Sequence, residues 1–193
     1  MKSNLCDAVE KVLIPKSEID KRIEELGKEI TEEYRGKGEL IVVGILRGAA
    51  MFMSNLTLNI DLEVGIDFMA VSSYGHSSES SGTVRIIKDL EDDIAGKNIL
   101  IVEDIVDSGR TLSYLVRNLM DRKAKSVKIA SLLDKPERRT NEVDVQFKGF
   151  TVPNEFIVGY GLDFAQQFRN IEDICVLKKS FYEKTNYMKS SRK

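Results

Sequence analysis

One strand–turn–helix pattern near the middle of the chain constrains the fold more than any other feature. Residues 98–102 are an apolar run that predicts a buried strand, and the apolar residues between 112 and 120 recur at helical spacing. The intervening residues, 102–111, read Val-Glu-Asp-Ile-Val-Asp-Ser-Gly-Arg-Thr. Open α/β sheets place their ligand sites at turns of this kind. The pattern therefore predicts both a parallel sheet and the position of a site at its edge.

Strand and helix patterns alternate through the first two thirds of the chain, which predicts an α/β fold with a central, mostly parallel sheet flanked by helices. We expect the strand-rich last third to form a small C-terminal hood, or flap, over the carboxyl edge of that sheet. The predicted strands are residues 39–45, 64–71, 84–88, 98–102, 127–133, 143–147, 155–160 and 173–177. The predicted helices are residues 19–34 with Ser17 as the N-cap, residues 49–57, and a third that follows residue 111.

The composition is that of an ordinary globular protein, and we expect a single domain over residues 1–193. A net charge of −2 does not predict a nucleic-acid or membrane surface, and no apolar stretch approaches the roughly 20 residues that span a bilayer. Cys6 and Cys175 form no disulfide framework, and Cys175 is predicted to be a small core residue. These features predict a cytoplasmic protein. The basic residues within 178–193 predict a solvated, partly disordered tail.

The carboxylates of the 102–111 segment favour a chemical role over a purely structural one. Asp107 or Ser108 alone can be explained as a helix N-cap. That explanation does not cover Glu103 and Asp104, because adjacent carboxylates at the end of a buried strand repel each other and lose solvation. A cation or hydroxyl donors would relieve that penalty, and the N–H groups that begin a helix bind anions. The segment therefore predicts phosphate capture combined with acid chemistry.

The 102–111 segment closely resembles the phosphoribosyl-pyrophosphate binding motif of the type I phosphoribosyltransferases. Further segments resemble signatures of the hypoxanthine(-guanine) phosphoribosyltransferases and stand in that family's order. They are residues 46–48, 72–75, 133–136 and 155–163. The resemblance covers about residues 10 to 178. The first motif alone would imply only the superfamily, whereas the later segments imply a 6-oxopurine as the acceptor.

The resemblance implies how the 102–111 segment would hold the ribose phosphate. The implied backbone N–H donors to the 5′-phosphate are those of Asp107, Ser108, Gly109, Arg110 and Thr111. Glu103 and Asp104 would accept hydrogen bonds from the ribose hydroxyls, directly or through Mg²⁺. Asp107 would also face N7 of the purine and act there as the catalytic general base or acid.

The resemblance also implies a pyrophosphate loop and a lid. Residues Leu46, Arg47 and Gly48 would bind pyrophosphate together with Arg169, and in the family the peptide that joins the first two residues is often cis. Residues 72–83 would form a mobile lid, in which Ser73 and Tyr74 shield the transition state from water. Without the resemblance, Arg47 would be taken as a surface residue and the lid as a plain flexible loop.

Four residues are implied in binding the base. Lys135 would donate to O6 and so select 6-oxopurines over 6-aminopurines. Phe156 would stack on the purine, and a backbone group of Ile157 would contact the edge of the base. Asp163 would contribute to this pocket and hold a second Mg²⁺ bridging to pyrophosphate. Without the resemblance, Lys135 would be taken as a surface residue, Phe156 as core, and Asp163 with Arg169 as a surface pair.

The resemblance as a whole implies a purine-salvage enzyme with Mg²⁺ as cofactor. Its substrates would be phosphoribosyl pyrophosphate and a 6-oxopurine, and its products IMP or GMP and pyrophosphate. The preference among hypoxanthine, guanine and xanthine stays open, and a homodimer or homotetramer is expected. The alternative is a catalytically weak regulator of the same fold that senses nucleotides and binds RNA. The acidic balance of the chain argues against that alternative, and only the basic tail favours it.

Overall fold

The computed structural model describes residues 7–73 and 84–183. Its strands are β1 (Val9–Ile14), β2 (Leu40–Leu46), β3 (Val64–Ser73), β4 (Val84–Lys88), β5 (Asn98–Val106), β6 (Ser126–Asp134), β7 (Phe147–Thr151), β8 (Ile157–Val158) and β9 (Ile174–Leu177). Its helices are α1 (Lys16–Tyr34), α2 (Ala50–Thr57) and α3 (Arg110–Asp121), with a 3₁₀ turn at Pro136–Arg138, and residues 179–183 are also helical.

The described residues divide into two compact units, of which the larger lies within residues 22–154 and the smaller joins residues 7–21 to 155–183. The boundary falls within α1, and the single domain over residues 1–193 stays a prediction. The larger unit contains a six-stranded sheet in the order β4-β3-β2-β5-β6-β7. Five of these strands are parallel to one another, and only β4, at the edge, is antiparallel to its neighbour. The predicted α/β fold is thereby confirmed.

Two sequence features explain the packing of the core of the larger unit: an apolar stripe on α3 and a glycine in β2. The apolar stripe of α3, formed by Leu112, Leu115 and Leu119, is buried in one cluster with the apolar residues of β5 and β6. Burying a leucine side chain contributes about 1.5–3 kcal/mol, so this stripe holds the helix that follows the 102–106 strand end. In β2, Gly44 has no side chain and lets Met53 of α2 approach closely, because a Cβ there would overlap the methionine sulfur.

The smaller unit contains a three-stranded antiparallel sheet in the order β1-β9-β8. Cys175 lies in β9 and is fully buried with Val158 and Leu177, so its assignment as a core residue is correct. Asp173 precedes β9, and its carboxylate accepts the backbone N–H of Lys16 at 2.8 Å. Helix α1 therefore begins one residue before Ser17, and the prediction of Ser17 as its N-cap is wrong. The hood role of this unit stays a prediction.

One strand was not predicted at all, another begins later than predicted, and β8 is confined to Ile157–Val158 within the predicted 155–160. β1 was not predicted, because three of its six residues are exposed, only one is buried, and its pairing with β9 is entirely long-range. β7 begins at Phe147 and not at Val143. Val143 and Val145 are apolar because they pack partly buried against the core. The side-chain oxygen of Gln146 accepts the Ile129 N–H of β6 at 2.8 Å, where a paired strand would offer a backbone carbonyl.

No helix in residues 7–73 and 84–183 is both long enough and apolar enough to cross a bilayer.

Glu33 on α1 should make stability depend on pH. Its carboxylate lies 2.6 Å from the amine of Lys128 and 2.5 Å from that of Lys37, and these hydrogen bonds lower the pKa of Glu33 to about 2. The unfolded chain therefore binds more protons than the folded one, so this stabilisation is present above the ordinary pKa of about 4.5 and is lost as pH falls towards about 2. Glu33→Gln should lower the urea midpoint at neutral pH, and the difference from wild type should shrink on acidification.

Urea titrations of the two proteins across the acid range measure this effect. Glu32→Gln serves as the control, because Glu32 is highly exposed and lies 3.3 Å from the guanidinium of Arg35 on the surface of the helix. A deficit in Glu33→Gln that stays constant from neutral to acid pH would contradict the assignment.

Candidate active site

Glu103 and Asp104 lie on the strand itself, since β5 extends to Val106. The expectation that both follow the strand on a turn is wrong, and the connection to α3 is only residues 107–109. Glu103 is partly buried, and burial together with the neighbouring Asp104 carboxylate raises the pKa of Glu103 well above its ordinary value. The unfavourable burial and repulsion predicted for these adjacent carboxylates are therefore present at Glu103.

Gly109 forms the start of α3 and lies in the segment predicted to bind the 5′-phosphate, residues 107–111, which is called the phosphate loop below after that prediction. It is the N-cap of the helix, so neither Asp107 nor Ser108 holds that position. Its φ of +79° favours glycine, and a Cβ there would lie only 2.5 Å from the carbonyl oxygen of Asn141. The first N–H groups of a helix have no partner within it, so the loop presents donors suited to an anion.

The predicted pyrophosphate loop, residues 46–48, lies directly against Asp104. It follows β2, which pairs with β5 in parallel, and the Leu46–Arg47 peptide is cis as expected from the resemblance. A Cβ on Gly48 would overlap the Asp104 carboxylate, so the backbone of Gly48 touches that acid. Two segments 56 positions apart in sequence, Gly48 and Asp104, thus meet at the carboxyl edge of the sheet.

Asp107, the predicted catalytic acid, is half-exposed and faces a guanidinium. Its Oδ1 lies 3.0 Å from Nε of Arg138, as an ion pair without hydrogen-bond alignment. Arg138 follows the predicted O6-binding residue Lys135 by three positions. The Lys135 backbone N–H donates to the Val106 carbonyl at 2.9 Å, so the end of β6 is tied to the end of β5. Lys135 is 7% exposed, which is not the exposure of a surface lysine.

In the smaller unit, Phe156 belongs to an aromatic group. It is 39% exposed, so the assignment to the core that its sequence context suggested is wrong. Its ring stacks on Tyr182 at a centroid distance of 5.1 Å and meets Phe164 edge-on at 5.3 Å. Ile157, beside it, is buried in β8 and pairs with Val176 of β9.

Asp163 and Arg169 are paired with each other in the smaller unit. The guanidinium of Arg169 lies 2.6 Å from the Asp163 carboxylate and also donates to the Gly161 carbonyl at 2.6 Å. Both side chains are about three-quarters buried, so they form a partly buried pair and not an exposed one.

Ser73 ends β3, and Tyr74 with the rest of the predicted lid lies outside the described residues. The tail after residue 183 lies outside them as well.

Sequence reasoning missed two partners of the predicted site residues. Arg138 pairs with Asp107, and Tyr182 stacks on Phe156. The basic pair Arg138-Arg139 directly after the Lys135 motif was the one available signal. Nothing in spacing or periodicity distinguishes Tyr182.

The fold and this edge of the sheet define a phosphoribosyltransferase-type α/β protein. The family described as the phosphoribosyl transferase domain matches residues 15–165, and the chain belongs to that family. A crystal structure of a hypoxanthine phosphoribosyltransferase from Staphylococcus aureus superposes with a TM-score of 0.90 at 44% identity, covering 94% of this chain and 98% of that one.

Two sequence relatives carry related names. The hypoxanthine-guanine phosphoribosyltransferase of Bacillus subtilis is 53% identical over 175 residues, 91% of this chain and 97% of that protein. The bifunctional protein TilS/HprT of Listeria monocytogenes is 52% identical over 174 residues, 90% of this chain. The chain spans only 27% of the length of that larger relative. The resemblance to hypoxanthine(-guanine) phosphoribosyltransferases is confirmed.

Proposed function

We propose that this chain is a purine-salvage enzyme that transfers the 5-phosphoribosyl group of phosphoribosyl pyrophosphate to N9 of hypoxanthine or guanine. The bond from C1′ to the pyrophosphate oxygen breaks, the bond from C1′ to N9 forms, and the products are IMP or GMP and pyrophosphate. The relatives that carry this activity in their names match nearly the whole chain. The proposal includes a cytoplasmic enzyme that assembles as a homodimer or homotetramer.

The contact of Gly48 with the Asp104 carboxylate is the observation that carries the proposal. In phosphoribosyl pyrophosphate, the diphosphate and the ribose hydroxyls sit on adjacent carbons of one ring. A site for it therefore needs a pyrophosphate loop directly beside a ribose-binding acid, with a 5′-phosphate cradle a few residues further on. Residues 46–48, Asp104 and residues 107–111 lie at one edge of one sheet and would supply these three parts.

The residues present also fit Mg²⁺. Mg²⁺ is usually held by one or two carboxylates together with substrate phosphates. Glu103 and Asp104 are such a pair, and the raised pKa of Glu103 indicates that a neighbouring positive charge would stabilise its ionised form. Within the described parts of the chain, no cluster of three or more acid, His or Cys side chains is placed to hold a metal, so substrate oxygens would complete the shell. A bound Mg²⁺ would supply charge stabilisation to the departing pyrophosphate. Asp163 is proposed to hold a second ion.

The remaining roles belong to the chain's own side chains. Arg47 and Arg169 would bind the pyrophosphate, on which negative charge develops as C1′ takes on oxocarbenium character. Asp107 would hold or accept the proton at N7. Phe156 would stack on the purine, with Ile157 at the edge of the base. Ser73 and Tyr74 would close over the reacting atoms.

A spectrophotometric assay with phosphoribosyl pyrophosphate and Mg²⁺ tests the proposal across hypoxanthine, guanine, xanthine, adenine and uracil. Turnover of 6-oxopurines alone would support it and rank the substrates. If no base turns over while phosphoribosyl pyrophosphate still binds, the proposal fails and the nucleotide-sensing regulator replaces it, to be examined by salt-dependent RNA binding.

Lys135 should determine the choice of base. Removing a charged donor to O6 costs about 1.5–3 kcal/mol, so Lys135→Ala should lower kcat/KM for hypoxanthine by roughly 10- to 150-fold. KM for phosphoribosyl pyrophosphate should change little, and discrimination against adenine should narrow. Steady-state kinetics with both bases measure the effect. Unchanged discrimination against adenine would contradict the role assigned to Lys135.

A further inference from the structure

The segment that follows β6 presses against the outer side of the phosphate loop. The backbone N–H groups of Thr140 and Asn141 both donate to the Ser108 carbonyl at 3.0 Å. The hydroxyl of Ser113, in the first turn of α3, donates to the Glu142 carbonyl at 3.0 Å. We call residues 139–143 the brace, since they contact both the loop and the helix that it begins.

The brace also leaves no space around Gly109. A Cβ on that glycine would lie 2.5 Å from the Asn141 carbonyl, 3.0 Å from the Arg139 Cδ and 3.3 Å from a Val143 methyl. A shift of the brace towards Gly109 would therefore displace the backbone of the residue that starts α3. The Ser108 carbonyl and the Gly109 backbone are therefore both contacted from this side, while within the loop the Arg110 N–H donates to the Ser108 hydroxyl at 3.4 Å.

Arg139 anchors the brace through an almost buried ion pair. Its guanidinium donates to the carboxylate of Asp134, which is 6% exposed at the end of β6, and also contacts the Val143 carbonyl at 3.4 Å. Lys148 of β7 lies 2.7 Å from the second oxygen of the same carboxylate. Removing one partner of a buried ion pair leaves a charge uncompensated, so the remaining groups must rearrange.

We propose that Arg139 is a positioning residue for the 5′-phosphate: its ion pair with Asp134 holds the brace against Ser108 and Gly109 and so fixes the backbone donors of the phosphate loop. This rests on the proposed function, because the phosphate role of the loop does. Arg139 acts through the Ser108 carbonyl and does not need to touch the substrate. Its removal should therefore affect the phosphoribosyl substrate and leave the purine substrate unaffected.

Three variants make the test. Arg139→Gln removes the charge, Arg139→Lys keeps it, and Arg122→Gln removes an arginine whose partner, Asp89, lies on the surface. Each is assayed for KM towards phosphoribosyl pyrophosphate and hypoxanthine, and for binding of ribose 5-phosphate by calorimetry. The melting temperature of each is also measured.

Arg139→Gln should raise KM for phosphoribosyl pyrophosphate and Kd for ribose 5-phosphate by about tenfold, equal to about 1.4 kcal/mol. KM for hypoxanthine should stay within about twofold of wild type, a difference below about 0.5 kcal/mol. Arg139→Lys should restore most of the loss, and Arg122→Gln should match wild type.

A lower melting temperature in Arg139→Gln with both KM values unchanged would overturn the proposal, because Arg139 would then serve stability alone. If Arg139→Gln does not fold, Asp134→Asn removes the same ion pair from the other side and carries the comparison. The calorimetric measurement of ribose 5-phosphate binding does not require the enzyme to be active. If the wild type is inactive but Arg139→Gln still weakens its binding of ribose 5-phosphate, the proposed function is overturned and the role of Arg139 stands. If the wild type is active and Arg139→Gln binds ribose 5-phosphate as tightly as the wild type does, the role of Arg139 is overturned and the proposed function stands.

Discussion

Replacing Asp107 with Asn should lower kcat by about 10²- to 10³-fold, because a general acid or base typically contributes about 10²–10⁴ to the rate. Asn has the same shape and can still accept a hydrogen bond, so KM for phosphoribosyl pyrophosphate should change by less than about threefold. The residue stands between the strand that carries Asp104 and the glycine that begins α3, and it is the first residue of the loop proposed to bind the 5′-phosphate. Steady-state kinetics over a range of pH measure the change.

Arg138 provides the control for this experiment. Asp107→Asn also removes the ion pair with Arg138, whose Nε lies 3.0 Å from the carboxylate. Arg138→Gln removes that pair and keeps the acid. Because both side chains are about half exposed, the pair contributes little, and Arg138→Gln should retain most of kcat. An equal loss in both variants would assign the effect to the ion pair, and wild-type kinetics in Asp107→Asn would remove Asp107 from the chemistry.

The elements that the sequence predicted correctly are those in which a local pattern and burial agree. β5 is a continuous apolar run because both of its faces are covered, and α3 shows its stripe because one face alone is buried. β1 has no such pattern, since it is held by pairing with a strand about 165 residues away. Val143 and Val145 mimic a strand because they are apolar for a different reason, namely contact with the core.

In the candidate site too, some features could be predicted from the local sequence and others could not. Glu103, Asp104 and Asp107 were predictable because their spacing stands out within one short segment. The contacts made by their neighbours were not, because they depend on where distant backbone comes to lie. Gly48 meeting Asp104 and Arg138 meeting Asp107 follow from the parallel register and from the path of the chain after β6. Arg139, which looks equivalent to Arg138 in sequence, is instead turned towards Asp134.

Gly48→Ala should lower kcat/KM for phosphoribosyl pyrophosphate on the order of 10²-fold, since a displacement of about 1 Å in a catalytic site costs that much. The added methyl would occupy the position of the Asp104 carboxylate, so either the acid or the pyrophosphate loop must move. Both hold parts of the same substrate in the proposed function. Binding of phosphoribosyl pyrophosphate by calorimetry and steady-state kinetics would measure the loss, with circular dichroism to establish that the variant is folded.

Gly65→Ala separates this steric effect from a general intolerance of alanine. Gly65 lies in β3, and its added Cβ would meet the Ile41 side chain at 3.5 Å, an ordinary contact distance. Neither glycine has a positive φ, so the two substitutions differ in what the methyl meets and not in backbone strain. Gly65→Ala should therefore keep wild-type kinetics. If Gly48→Ala kept them too, the close approach to Asp104 would not matter for substrate binding, and the central geometric support for the proposed site would be lost.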